Sequence, residues 1–199
     1  MILSVLEIAF LIMLPLVLFY QRSGWTIKEY APSIVIIYLI WYLTYALFHE
    51  LSHMFGVWIF DKTIFEFQLI PRFWIGEFGT GYIKYDYKSD TKDFIIILLP
   101  YARDIILLTI GYFVIIKIEF KKPFLIGLIL VMFILSPLFD IVNNYSAYLL
   151  GSMNDFNALR ESSSMLISHF TGILFFTLSA LTTLMIIKRL KDYPVRNKK

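Results

Sequence analysis

His49-Glu50-Leu51-Ser52-His53 places two imidazoles and a carboxylate in the H-E-x-x-H pattern. On a helix, four residues advance about 400°, so His49 and His53 lie about 40° apart on one face and about 6 Å apart along the axis. That spacing lets two imidazoles hold one zinc ion, with Glu50 a step round the helix and within reach of a water on the metal. Zinc lowers the pKa of such a water toward ~7, and a glutamate beside it acts as general base, returning the proton to a leaving amine. A satisfied polar cluster or a helix contact is the plainer alternative. Placement argues for the metal, because the motif lies in an otherwise apolar run, Ile34 to Phe60, where each charged group costs a few kcal/mol.

A catalytic zinc usually has three protein ligands. Three later residues lie at compatible depths: Asp155, Asp140 and His169. Asp140 has a competing structural role, since Arg103 stands at a similar depth and buried membrane charges usually pair. His169 is a ligand, a proton relay or a capped polar residue. On its plainer reading Asp155, in a polar turn, is a helix N-cap.

The elements that must position these residues are membrane helices. Of 199 residues, 59% are hydrophobic and 17% charged, and the apolar residues fall in long runs. This excludes a disordered chain and an ordinary soluble globule. The runs are Ile2–Tyr20, about Pro32–Phe60, Phe94–Ile118, Phe124–Leu150 and Ser164–Ile187, each near the ~20 residues that span a bilayer. The expected fold is an all-α polytopic membrane protein with about five transmembrane helices, residues 1–199 forming a single membrane domain. The first run has neither a basic leader nor a cleavage site and reads as a retained helix.

The gap at residues 61–93 is long. Thr63–Leu69 and Tyr82–Tyr87 alternate, and Gly76, Gly79 and Gly81 lie between them, which predicts a small β-strand surface insert. Five crossings put the termini on opposite sides. The C-terminal side, including the basic tail 188–199, holds eleven Lys and Arg against six on the other, so the C-terminus is expected in the cytoplasm and the protein in the cell membrane. A net charge of +3 without a basic stripe speaks against nucleic acid as a partner, and the absence of cysteine excludes a thiolate metal site and a catalytic thiol.

The chain resembles the membrane-embedded zinc metalloproteases of the site-2 protease type, and more closely small bacterial proteins described as zincin peptidases. The likeness covers roughly Tyr38 to Ile187. It rests on HELSH in a membrane helix, the strand-rich insert, Pro100 in Leu98-Leu99-Pro100-Tyr101, and the turn Gly151-Ser152-Met153-Asn154-Asp155. The resemblance implies His49, His53 and Asp155 as ligands of Zn2+, Glu50 as general base, and a membrane-anchored peptide or protein as substrate. The sequence departs from the larger proteases' Leu-Asp-Gly triplet: Phe156 follows Asp155 and Ile141 follows Asp140, while Pro137 gives Asp140 some claim to the same pattern. An exposed edge near Phe65–Leu69 or Ile83–Tyr87 is a place for an extended peptide to pair, the alternative being that the strands are a cap that shields the site. The other class of function is a non-catalytic membrane protein, such as a pseudoprotease partner, an immunity-type protein or a transporter subunit.

Overall fold

The computed structural model describes residues 6–70, 81–118 and 122–191. The helices are α1 (Ile8–Arg22), α2 (Ile27–Ile59), α3 (Thr91–Lys117), α4 (Pro123–Leu149), α5 (Asp155–Ser162) and α6 (Met165–Lys191), with strands β1 (Ile64–Gln68) and β2 (Tyr82–Tyr85) between α2 and α3. Within α1 the turns at Ile8–Met13 are π-helical, as are those at Val131–Leu135 within α4.

Four helices are long and apolar enough to cross a membrane, the spans being Ile27–Ile59, Thr91–Ile115, Pro123–Leu149 and Met165–Lys188. The chain is thus a multi-pass membrane protein, mainly helical, with a two-stranded insert. The fifth expected run, Ile2–Tyr20, is helical from Ile8 to Arg22, and among the described residues this helix falls short of the ~20 a crossing needs. The strands pair antiparallel, with Gln68 opposite Tyr82, and the register shifts between Ile64 and Glu66. Phe65 and Phe67, expected on one side, are both exposed. Gly76, Gly79 and the part of the basic tail beyond residue 191 lie outside the described residues.

The chain resolves into two compact units, with the divisions falling inside the long helices. In the unit comprising residues 1–41, 104–143 and 176–199, the buried Tyr20 donates its hydroxyl to the Pro123 carbonyl at 2.6 Å. Trp41 donates from Nε1 to Ser136 Oγ at 2.9 Å and meets Phe139 edge to face. Both bonds satisfy polar groups on otherwise apolar helices.

The unit comprising residues 42–103 and 144–175 carries the histidine motif. Its α3 begins with a reciprocal cap. The Asp90 carboxylate accepts from the Asp93 N–H at 2.9 Å, and the Asp93 carboxylate accepts from the Asp90 N–H at 3.2 Å. Asp93, fully buried, also accepts from the Lys88 N–H and from the buried Lys62 ammonium, the latter at 2.5 Å. Lys62 follows α2, so this ion pair ties the end of one membrane helix to the start of the next.

A buried ion pair loses most when one partner is removed, because the other is left buried and uncompensated. Lys62→Met is therefore expected to lower stability by about 3 kcal/mol, and Asp90→Ala, which removes the cap and a longer contact with Lys62 at 3.4 Å but leaves the Lys62–Asp93 pair, by about 1 kcal/mol. Denaturation of the detergent-solubilised protein measures both.

Candidate metal centre

His49 and His53 lie one turn apart on α2 and are buried, as is Glu50. Their rings are 5.0 Å apart between centroids. Asp155 is carried to them by a short, heavily bonded segment. α4 ends at Leu149, and just beyond it the φ of 81° at Gly151 is the left-handed conformation that glycine adopts without strain. Asn154 then caps α5: its side-chain oxygen accepts from the Phe156 N–H at 3.1 Å and its amide donates to the Asn144 carbonyl at 2.6 Å. Asn157 closes the same turn by donating to the Ser152 carbonyl. Phe156 is fully buried among Tyr101, Tyr145 and Tyr148 and anchors the segment. The N-cap is thus Asn154 rather than Asp155, which stands at the first helical position with its side chain free to reach the histidines.

Asp155 Oδ2 lies 3.0 Å from His49 Nε2 and 3.3 Å from His53 Nε2. These three residues form the one group among the described residues whose side chains can share a metal ion. Asp140 and His169, the other two expected candidates, are not in it. Asp140 is buried in the other unit, and His169 Nδ1 pairs with the Tyr145 hydroxyl at 3.1 Å. Burial opposes ionisation of Asp155, but the two histidines, when protonated as imidazolium, outweigh it and hold its carboxyl below the usual carboxylate range.

Hydrogen bonding decides which atoms face each other. His53 Nδ1 lies 3.0 Å from the Ile96 carbonyl oxygen. A carbonyl only accepts, so Nδ1 carries the proton. In the neutral ring, Nε2 is then a bare lone pair aimed at a carboxylate oxygen. Two acceptors at 3.3 Å need positive charge between or upon them, from a proton or a metal ion. The two donor separations are close to the ~3.3 Å edge of a tetrahedron with bonds of about 2.0–2.1 Å, the geometry of zinc with nitrogen and oxygen ligands. The residues present therefore fit such an ion.

Three further residues shape the site. The buried Tyr101 donates its hydroxyl to Asp155 Oδ2 at 3.0 Å and sets its ring edge-on to His49. Sequence reasoning missed it; the available signal is a phenol inside an apolar helix, which needs a partner when buried. Gly81, just before β2, packs on the expected base: a Cβ there would lie 2.7 Å from Glu50 Cγ and 3.0 Å from its Oε1. Arg103 Nη1 donates to Ser52 Oγ, within the histidine motif, at 3.4 Å.

Comparison of the chain with family models, with curated proteins and with solved structures returns no match. The reading of the site therefore rests on its geometry.

Purified protein is expected to bind about one zinc per chain, and His49→Ala, His53→Ala and Asp155→Ala to weaken it strongly. Asp140→Ala should leave affinity near wild type. Metal analysis with chelator competition measures each variant, and zinc retained by Asp155→Ala but lost from Asp140→Ala would reverse the ligand assignment.

Proposed function

We propose that the protein is a zinc-dependent peptidase that hydrolyses peptide bonds of membrane-associated substrates, a metalloendopeptidase of the H-E-x-x-H kind. The observation that carries this reading is the meeting of Asp155 with both histidine Nε2 atoms beside a buried glutamate. A structural site has no need of that glutamate. The likeness of HELSH, Pro100 and the Gly151–Asp155 turn to site-2 proteases and small zincin peptidases points the same way.

A bound zinc would supply a Lewis acid and water of lowered pKa. The chain's own residues do the rest. His49, His53 and Asp155 hold the ion, Tyr101 fixes the carboxylate by a hydrogen bond, and Glu50 takes the proton of the attacking water and passes it to the departing amine. Gly81 brings the insert's backbone against Glu50. An extended peptide pairing with an edge of β1 or β2 would therefore lie close to the base, held by main-chain hydrogen bonds with little demand on side-chain sequence. The excess of basic residues on the C-terminal side supports a cytoplasmic C-terminus in the cell membrane.

The deciding experiment uses a membrane-anchored reporter with zinc content measured in parallel. Glu50→Gln keeps size and hydrogen bonding but cannot accept a proton, so cleavage should vanish while zinc and fold persist. Full cleavage by Glu50→Gln at normal zinc content ends the peptidase reading. Absence of any change in cell or protein behaviour favours the non-catalytic class instead.

Gly81→Ala separates the base from the metal. The atoms its Cβ would meet first belong to Glu50 and Ala46, not to the three ligands, so zinc should stay bound while cleavage falls by about 100-fold, the cost of an ångström-scale misplacement.

A further inference from the structure

Pro100 stands inside α3 and is buried. Proline has no backbone N–H, so the carbonyl four residues earlier loses its helical donor. That carbonyl belongs to Ile96, the group to which His53 Nδ1 is bonded at 3.0 Å. We infer that Pro100 is a positioning residue for the candidate metal centre: by freeing the Ile96 carbonyl it fixes the proton of His53 on Nδ1 and turns Nε2 toward Asp155.

Two neighbouring features make the bond possible and extend it. Gly56, one turn beyond His53 on α2, admits α3 at close range; a Cβ at Gly56 would lie 3.2 Å from Ile96 Cα and 2.5 Å from Leu99 Cδ1. Tyr101, adjacent to Pro100, supplies the hydrogen bond to Asp155 and the ring edge to His49. The stretch Ile96–Tyr101 thus touches all three candidate ligands. Metal-bound histidines generally owe their tautomer and ring orientation to such a bond from the other nitrogen. Here the acceptor is a main-chain atom, and a missing N–H makes it available.

The idea is tested on the full-length protein with 15N-labelled histidine. The chain has three histidines, so the imidazole signals are assigned with His49→Ala and His169→Ala. In wild type, the metal-free protein should show His53 with a proton on Nδ1 that is protected from exchange. Pro100→Ala and Pro100→Gly restore the N–H and give Ile96 back its helical donor. In both, the protected Nδ1 proton should be lost or move to Nε2, and zinc affinity should fall by about 10-fold.

The tautomer is read without metal, so that arm stands whether or not the peptidase reading holds. A wild-type His53 protonated only on Nε2 overturns the inference. So does an unchanged Nδ1 signal with unchanged zinc affinity in both variants. Failure of both variants to fold assigns Pro100 to the fold rather than to His53 and overturns it equally.

Discussion

An imidazole lone pair and a carboxylate oxygen brought within 3.3 Å of each other repel unless a cation is shared between them. In water the pair would drift apart. Here neither partner is free to leave. His53 is held by its other nitrogen, and Asp155 is held by Tyr101 and by the capped turn in front of α5. The local chain geometry accumulates negative potential at one point and keeps it there. A site of this kind would favour a cation by preorganisation, because the unfavourable approach of the ligands has already been made during folding.

The surroundings follow from the same need to satisfy polar groups away from water. Polar side chains that approach the site on membrane helices find partners there: His53 with Ile96, Tyr101 with Asp155, and Ser52 with both the Phe48 carbonyl and Arg103. The pattern also gives meaning to residues that would otherwise count as helix defects. A proline in a helix interior costs about 3 kcal/mol in an ordinary setting, and a glycine about 1 kcal/mol. At Pro100 and Gly56 the lost backbone bond and the missing side chain are where α2 and α3 come together.

His49, Glu50 and His53 were legible because helical geometry makes their spacing a statement about three dimensions. The choice among Asp155, Asp140 and His169 was not, because depth along a helix fixes one coordinate and leaves rotation open. What distinguishes Asp155 is a chain reversal at Gly151 and a cap at Asn154, local features that fix direction only once the partner helices are in place. The alternation of Thr63–Leu69 and Tyr82–Tyr87 announced the two strands, but not the register shift near Ile64. Hydropathy marked all the long runs. It gave the first one the same standing as the others, although the described helix there is the shorter Ile8–Arg22. Tyr101 and Gly81 carry no pattern of their own and become visible only through what they touch.

The contact between Lys62 and Asp93 makes the insert a closed loop, since the two residues are 31 apart in sequence and joined at 2.5 Å. Polymer statistics make such a loop forgiving: doubling its length raises the closure cost by only about 0.6 kcal/mol. Residues added or exchanged between the strands therefore change what the hairpin presents without loosening its base. Length and sequence between the strands are thereby uncoupled, in closure cost, from the helix ends that Lys62 and Asp93 join.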